Sequence, residues 1–190
     1  MAPPKQTANI ELKARRRSLR ADRQVCKALG ARPKGVIKQR DTYFVVKRGR
    51  FKLREQKPGR SELIAYLRPD ESGPRLCNYF VIPVRDPVPV KALLGSCLGV
   101  LAEVRKNREL YLWRGVRIHL DRVKGLGLFL EFEAVLTRGR DARWGHRMVA
   151  KLKEVFGISS GDLIPTSYLE LTLSERNFSA KDSRKGGGPS

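Results

Sequence analysis

Charged side chains recur two residues apart at several places in this chain, and this spacing is its first feature with chemical content. The clearest pairs are Glu131 with Glu133, Lys52 with Arg54, and Lys106 with Arg108. Residues i and i+2 of an extended strand project from the same face of a sheet. Neighbouring carboxylates can bind a divalent cation through oxygen, whereas neighbouring lysines and arginines can bind a polyanion. The pairs therefore indicate a site for a polyanionic ligand, a metal ion or both.

The overall charge also favours a polyanionic ligand. The chain has 190 residues, and 40 Lys+Arg against 19 Asp+Glu give a formal net charge of +21. Its hydrophobic fraction of 41% is enough for a packed core, which excludes wholesale disorder. So large a positive charge excludes a surface with no preference for charged partners. The partner classes that remain are nucleic acid, an anionic membrane and polyphosphate.

Composition predicts the domain limits and the compartment. We expect a flexible leader at residues 1–7, one domain at residues 8–178 and a disordered tail at residues 179–190. The three cysteines form no CxxC motif, which is typical of reduced thiols in a cytoplasmic protein. No segment approaches the roughly 20 apolar residues that cross a bilayer, so we expect no membrane partner.

The segments that carry the charged pairs have the alternation of β-strands. The predicted strands are residues 8–16, 36–46, 50–55, 61–68, 75–84, 101–113, 116–123 and 126–136. Helices are predicted near residues 19–29, 86–100 and 142–156, with a last short helix within 161–173. Eight antiparallel strands commonly close into a barrel, which removes their exposed edges. The predicted fold is therefore α+β, an eight-stranded antiparallel β-barrel with flanking helices.

Strand alternation also predicts what fills this barrel. The helices are too few to cover both faces of the sheet, so the apolar faces must pack on them and the charged faces must point together. Burying so many cations without partners is prohibitive, and the interior must hold a polyanion or water. Five interior carboxylates would pair with the cations or bind Mg²⁺ or Mn²⁺: Glu11, Glu62, Asp121, Glu131 and Glu133.

Several motifs, in their order along the chain, resemble the CYTH family of triphosphate tunnel metalloenzymes. Residues 9–15, Asn-Ile-Glu-Leu-Lys-Ala-Arg, are similar to the ExExK strand that begins this family's domain. The later matches are residues 39–44, 51–55, 62–70, 104–111, 117–123 and 125–133. The family includes class IV adenylate cyclases, thiamine triphosphatases and inorganic tripolyphosphatases, and the resemblance is nearest the cyclase-like branch. It implies a tunnel that holds a triphosphate end-on with one or two divalent cations, Mg²⁺ or Mn²⁺.

The resemblance also implies roles for individual residues. The implied metal ligands are Glu11, Glu131 and Glu133, with Asp121 as a further ligand or partner of a metal-bound water. Asn9 stands where the family has its first glutamate, so it offers a neutral oxygen and leaves one or two metal ions open. The implied triphosphate-binding residues are Lys13, Lys52, Arg54, Arg68, Lys106 and Arg108. A second tier of candidates comprises Arg15, Arg40, Glu62, Arg117 and His119.

Two classes of function remain open. The first is a metal-dependent enzyme that acts on a triphosphate-containing small molecule. It would be either an adenylate cyclase, making cyclic AMP and pyrophosphate from ATP, or a phosphohydrolase of tripolyphosphate, nucleoside triphosphate or thiamine triphosphate. The second is a nucleic-acid-binding or non-catalytic polyphosphate-binding module. Cations outside the tunnel could give even the enzyme a secondary affinity for nucleic acid: residues 15–17, Arg20, Arg23, residues 138–147 and residues 181–185. We expect a monomer or a homodimer.

Overall fold

Eight antiparallel strands close into one barrel at the centre of the molecule. The computed structural model describes residues 6–67 and 73–185. Within these ranges the strands are β1 (Gln6–Arg16), β2 (Arg32–Phe44), β3 (Arg50–Lys57), β4 (Ser61–Leu67), β5 (Arg75–Val84), β6 (Val100–Trp113), β7 (Val116–Val123) and β8 (Gly127–Val135). Their order around the barrel is β1-β5-β4-β3-β2-β6-β7-β8, and β8 pairs with β1. The predicted fold class is confirmed.

Helices flank the barrel in the described part of the chain. They are α1 (Arg20–Ala28), α2 (Pro87–Leu98), α3 (Ala142–Val155) and α4 (Tyr168–Lys185), with a single 3₁₀ turn at Ser160–Asp162. The side chain of Asp86 accepts a hydrogen bond from the backbone N–H of Val88, and that of Asp141 accepts one from Trp144. These two N-caps satisfy free N–H groups and fix where α2 and α3 begin. None of the described helices combines the length and apolar character needed to cross a membrane.

The chain ends differ from the composition-based expectation. α4 continues to Lys185, so residues 179–185 are helical where we predicted a disordered tail. Neither glycine nor proline interrupts this segment before Gly186, and the helix can therefore propagate. Gln6 and Thr7, which we assigned to the leader, belong to β1. The rest of the predicted leader and tail, residues 1–5 and 186–190, lies outside the described residues.

The larger hydrophobic core lies between the barrel and α3. The outward side chains of Ile10 on β1 and of Phe132 on β8 are fully buried in it. The ring centroids of Phe132 and Phe156 are 5.2 Å apart. A Cβ at Gly145 of α3 would come within 2.6 Å of Ile10, so this close approach of helix to strand requires glycine. This packing fixes one face of β8 outward and leaves alternate residues facing the interior.

A second core fills one end of the barrel. Tyr168 and Leu169, at the start of α4, pack against the inward side chains of Val104 and Phe129. The rings of Phe129 and Tyr168 meet edge to face with centroids 5.0 Å apart. This is the end at which β2 finishes and β6 and β8 begin. The interior is therefore closed by α4 at this end, and the space that remains opens toward the other.

Candidate active site

A cavity of about 1050 Å³ occupies the barrel interior, and all eight strands contribute side chains to its wall. The segment between β8 and α3 also lines it, which places the opening at the end opposite Tyr168. The structure brings most of the residues singled out from sequence to this one wall. They are Asn9, Glu11, Lys13, Lys52, Arg54, Glu62, Lys106, Arg108, Arg117, Glu131 and Glu133.

Of the other five candidates, Asp121 and His119 are buried against the cavity-lining residues Arg108 and Glu131, and the remaining three are not placed at the cavity. Arg15 is exposed at the end of β1, where it donates a hydrogen bond of 2.9 Å to the Leu126 carbonyl and lies over the Phe129 ring. Arg40 lies on the outer face of β2, because the inward positions of this strand are the odd-numbered ones. Neither of these second-tier candidates lines the cavity. Arg68 lies outside the described residues.

Asp41 holds two of the interior cations in place, and the sequence analysis missed it. Its carboxylate accepts hydrogen bonds from Lys52 Nζ at 2.8 Å and from Arg54 Nε and Nη2 at 2.7 and 2.8 Å. Burial raises the pKa of the Asp41 carboxyl, but the charges of Arg54 and Lys52 outweigh it and keep the pKa well below its usual value. The ionised carboxylate therefore fixes both cations side by side. Strand alternation did not single it out, because both faces of β2 carry polar residues.

Arg108 is held between carboxylates from two strands. Its Nε and Nη2 donate to Asp121 at 2.7 and 2.6 Å, and Nη2 also donates to Glu131. The Tyr168 hydroxyl donates to Asp121 at 2.9 Å. Burial raises the pKa of Asp121, yet Arg108 and Lys106 outweigh this effect and hold it at about 2. Asp121 is thus surrounded by donors, and this arrangement suits orienting Arg108 better than binding a metal ion.

Two lysines face the ring of Tyr168 at the closed end of the cavity. Lys13 Nζ lies 4.1 Å from the ring centroid and Lys106 Nζ lies 4.9 Å from it. Burial and the charge of Arg108 lower the pKa of Lys106 to about 7. Burial and the charge of Arg54 likewise lower the pKa of Lys52 to about 8. The neighbouring carboxylates do not fully offset the cost of burying these ammonium groups, so the cavity favours an anion.

The candidate metal ligands lie beside two of these cations, because Glu131 is 3.5 Å from Lys13 Nζ and also contacts Arg108. One ligand atom from each of His119, Glu131 and Glu133 lies within 4.8 Å of the others. Glu11 pairs across β1 and β8 with Glu133. Asn9 Oδ1 is buried without a hydrogen-bond partner among the described residues. An orphaned buried oxygen beside this set of donors fits a divalent cation.

The protonation of this cluster also suits a cation. Burial raises the pKa values of Glu131 and Glu133, but nearby positive groups outweigh it and both values are lowered. The strongest opposing charge for Glu131 is that of Lys13. For Glu133 it is that of protonated His119, followed by Arg117 and Arg108, which stay charged when the imidazole is neutral. Burial and the charge of Arg108 lower the pKa of His119, which favours the neutral imidazole that can bind a metal. Two ionised carboxylates and a neutral imidazole are therefore available together.

Arg75 is a further buried residue that the sequence analysis missed. Its Nε donates to Glu11 Oε1 at 3.1 Å, and only 3% of the residue is exposed. It begins β5 directly opposite Glu11 on β1. It partly neutralises the acidic wall and constrains the orientation of Glu11. Nothing local in the sequence pairs these residues, because they are 64 positions apart.

Comparison with known proteins gives relatives of the same architecture. Over 71 residues the chain is 35% identical to a candidate adenylate cyclase of Methanocaldococcus jannaschii. This alignment covers 36% of this chain and 39% of that protein. The PH1012 protein of Pyrococcus horikoshii has a similar structure, with a TM-score of 0.76, 25% identity and coverage of 86% of this chain and 98% of that one. A candidate adenylyl cyclase from Hippeastrum, described as having a dominant triphosphatase activity, has a similar structure with a TM-score of 0.60 at 13% identity. The match covers 88% of this chain and 95% of that one.

The match that decides the family covers most of the chain. The CYTH domain matches residues 7–168, from the first strand to the tyrosine that closes the barrel. The M. jannaschii alignment spans less than half of that relative, and the Hippeastrum likeness shows only a shared fold. On the strength of the domain match and the closed eight-stranded barrel, the chain belongs to the CYTH domain family.

Proposed function

We propose that this protein is a divalent-metal-dependent enzyme that cleaves a triphosphate bound inside the barrel. One observation carries the proposal: five cations line a cavity together with Glu131 and Glu133, and these two carboxylates and the His119 imidazole offer ligand atoms within 4.8 Å of one another. The cations are Lys13, Lys52, Arg54, Lys106 and Arg108. Membership of the CYTH family supports it, because the family binds triphosphate substrates and implies a divalent metal.

The cations would bind the phosphate oxygens. Arg54 and Arg108 are already oriented by bidentate hydrogen bonds to Asp41 and Asp121, so little reorganisation is needed on binding. An arginine suits bidentate contact with phosphate, and a lysine acts as a point charge. As negative charge develops on the leaving phosphate, these fixed cations would stabilise it.

His119, Glu131 and Glu133 would hold the cation, with Glu11 and Asn9 on the same wall. We propose Mg²⁺ or Mn²⁺, since carboxylate and amide oxygens suit both. When bound, such a cation supplies charge neutralisation at phosphate oxygens and lowers the pKa of a nucleophile. The carboxylates would be ionised and ready to bind it, because their pKa values are lowered.

The nucleophile separates two candidate reactions. In a phosphohydrolase it is water, and in an adenylate cyclase it is the 3′-hydroxyl of ATP, which gives cyclic AMP and pyrophosphate. The same cations would serve both, since each reaction depends mainly on positioning and charge stabilisation. The M. jannaschii relative favours a cyclase, whereas the description of the Hippeastrum protein favours a triphosphatase.

Product analysis tests the proposal. The purified protein is incubated with Mg²⁺ or Mn²⁺ and, separately, ATP, tripolyphosphate or thiamine triphosphate. We expect metal-dependent turnover of at least one substrate, lost in Glu131→Gln and retained in Glu154→Gln, which neutralises an exposed residue on α3. Cyclic AMP would identify a cyclase, and released phosphate would identify a hydrolase. A folded protein that turns over none of the three substrates with either metal would refute the enzyme.

A further inference from the structure

The outer surface of the barrel differs from strand to strand. Helix α3 packs on β1 and β8, and their outward side chains are buried in the larger core. The outer face of β5 is apolar and exposed, with Phe80 and Ile82 40% and 49% accessible, but nothing in the structure shows what covers it. Four consecutive strands farther around the barrel, β3, β2, β6 and β7, instead carry exposed cations along a groove of about 750 Å³.

The cations of this groove form two rows that run straight across the four strands. Strand register places Lys57, Lys38, Asn107 and Arg122 side by side in the first row. The second row runs Glu55, Arg40, Arg105 and Lys124, and the last pair is joined by a backbone hydrogen bond of 2.9 Å. Strands lie about 4.8 Å apart and alternate residues about 7 Å apart, so the rows form a regular grid of positive charge.

Few carboxylates neutralise this grid. Arg105 contacts Glu103 at 2.6 Å, and Arg40 lies 3.8 Å from Glu103 and 4.0 Å from Glu55, which itself occupies one position of the second row. No carboxylate among the described residues lies within 4.0 Å of the remaining four cations, Lys38, Lys57, Arg122 and Lys124. Like charges directly opposite each other destabilise a sheet, as in the pair of Lys38 with Lys57. Fold stability therefore does not explain the grid, whereas binding of a polyanion does.

We propose that this basic groove binds the phosphodiester backbone of a nucleic acid. Exposed lysines and arginines suit contacts with phosphates that are independent of sequence. Asn107 stands between Lys38 and Arg122, and its amide can both donate to and accept from a sugar or a base edge. Inorganic polyphosphate offers no donor for the amide oxygen, so the groove favours nucleic acid over polyphosphate.

The groove differs from the basic surface that the sequence suggested. Two of the cations named there are neutralised by neighbours: Arg16 donates to Asp22 at 2.7 Å and Arg23 to Glu109 at 2.6 Å. The cations of the groove lie on the outer face of strands whose inward residues face the cavity, although buried Lys106 lines both the cavity and the groove. Lys38, Lys57, Arg122 and Lys124 line the groove and not the cavity, so substituting them tests binding at the groove separately from the proposed triphosphate chemistry.

Fluorescence anisotropy with a short RNA tests this inference. The oligonucleotide carries a 5′-hydroxyl, so it presents no phosphate terminus to the cavity, and its affinity is measured over a range of salt concentrations. We expect Lys38→Gln with Arg122→Gln to weaken binding about tenfold or more at low salt. Each lost phosphate contact changes the slope of log K against log salt by about 0.7, so the slope should become shallower by about 1.4.

A charge-matched variant provides the control. Arg147→Gln with Lys151→Gln removes the same charge from the exposed face of α3, which packs on strands across the barrel from β2 and β3. Equal weakening by both double variants would show only general attraction to a basic chain and would overturn the groove. Binding of long polyphosphate without binding of RNA would show that the groove binds polyphosphate, and it would overturn the proposal of a nucleic acid. Unchanged triphosphate turnover and thermal stability in the groove variant would exclude misfolding as the cause.

Discussion

The two faces of strand β6 use the same residue types in opposite ways. Inward, Lys106 and Arg108 are almost completely buried, and Arg108 is fixed by hydrogen bonds to two carboxylates. Outward, Arg105 is exposed and belongs to a grid with few acidic neighbours. Buried and oriented cations suit a small ligand whose reacting atoms must be positioned. Exposed cations suit a long and variable polyanion. The difference in surroundings, rather than residue type, separates the two sites.

Removing the most constrained interior cation should have the largest effect. Arg108→Met should lower turnover of the triphosphate substrate by about 10²–10³-fold, because a preorganised donor to the leaving phosphate is lost. It should also lower the free energy of unfolding by about 3–5 kcal/mol, since Asp121 and Glu131 lose their buried partner. Arg108→Lys keeps the charge and separates the two effects. Steady-state kinetics and denaturant unfolding measure them, and turnover within tenfold of the parent protein would contradict the role of Arg108.

Loosening a pair of cations should have a smaller effect. Asp41→Asn removes the charge that holds Lys52 and Arg54, so the cations stay present but lose their fixed geometry. We expect kcat/KM to fall by about 10–100-fold, since misplacement of binding groups costs this much. Asp22→Asn breaks a comparable ion pair with Arg16 outside the cavity and should leave kcat/KM unchanged. Equal losses in both variants would indicate only general destabilisation.

Protonation should report whether the lysines bind the ligand. In the free protein the pKa of Lys106 is about 7 and that of Lys52 about 8. A bound triphosphate raises both values, so binding should take up protons near pH 8, and affinity should fall as pH rises above this range. Calorimetry in buffers of different ionisation enthalpy measures the uptake. Lys106→Met should reduce it, and an uptake unchanged by this substitution would exclude Lys106 as a ligand-binding group.

The same substitution should stabilise the free protein. The pKa of Lys106 is about 7 in the folded state against 10.5 for an ordinary lysine. Between these values the unfolded chain binds a proton that the folded protein lacks, so this residue makes stability rise with pH. Below pH 7 Lys106 is charged in both the folded and the unfolded state, so the full cost of burying its ammonium group lowers the free energy of unfolding. Lys106→Met should therefore raise the melting temperature most at acidic pH, and a lower melting temperature there would contradict this account.

The smallest effect is expected on the outer face. Lys38→Gln should change the free energy of unfolding by less than about 0.5 kcal/mol, because the side chain is exposed. Any change should be stabilising, since Lys57 lies directly opposite. Turnover of the triphosphate substrate should not change. A loss of turnover would show that the two faces of the barrel wall are coupled, so the cavity and the groove would not be separate sites.

Strand alternation predicted the closed barrel and most of the cavity wall. It worked because one face of β8 must pack on helices, which leaves Glu131 and Glu133 facing inward. It gave no decision for β2, where both faces are polar, and this is why Arg40 was considered and Asp41 was missed. Tyr168 was missed for another reason, since its place depends on how α4 docks on the barrel end. Contacts distant in sequence leave no local pattern.

The closed end of the barrel sets a limit on the shape of the substrate. Among the described residues, Tyr168 and Leu169 fill that end, and the cavity opens toward the other end. A phosphate chain that enters from the opening would place one terminus among the cations at the closed end, and the group attached to its other terminus would lie near the opening. The depth of the cavity would then limit how many phosphate groups of the substrate fit inside the barrel. A product released at the closed end would leave toward the opening, past the group that lies there.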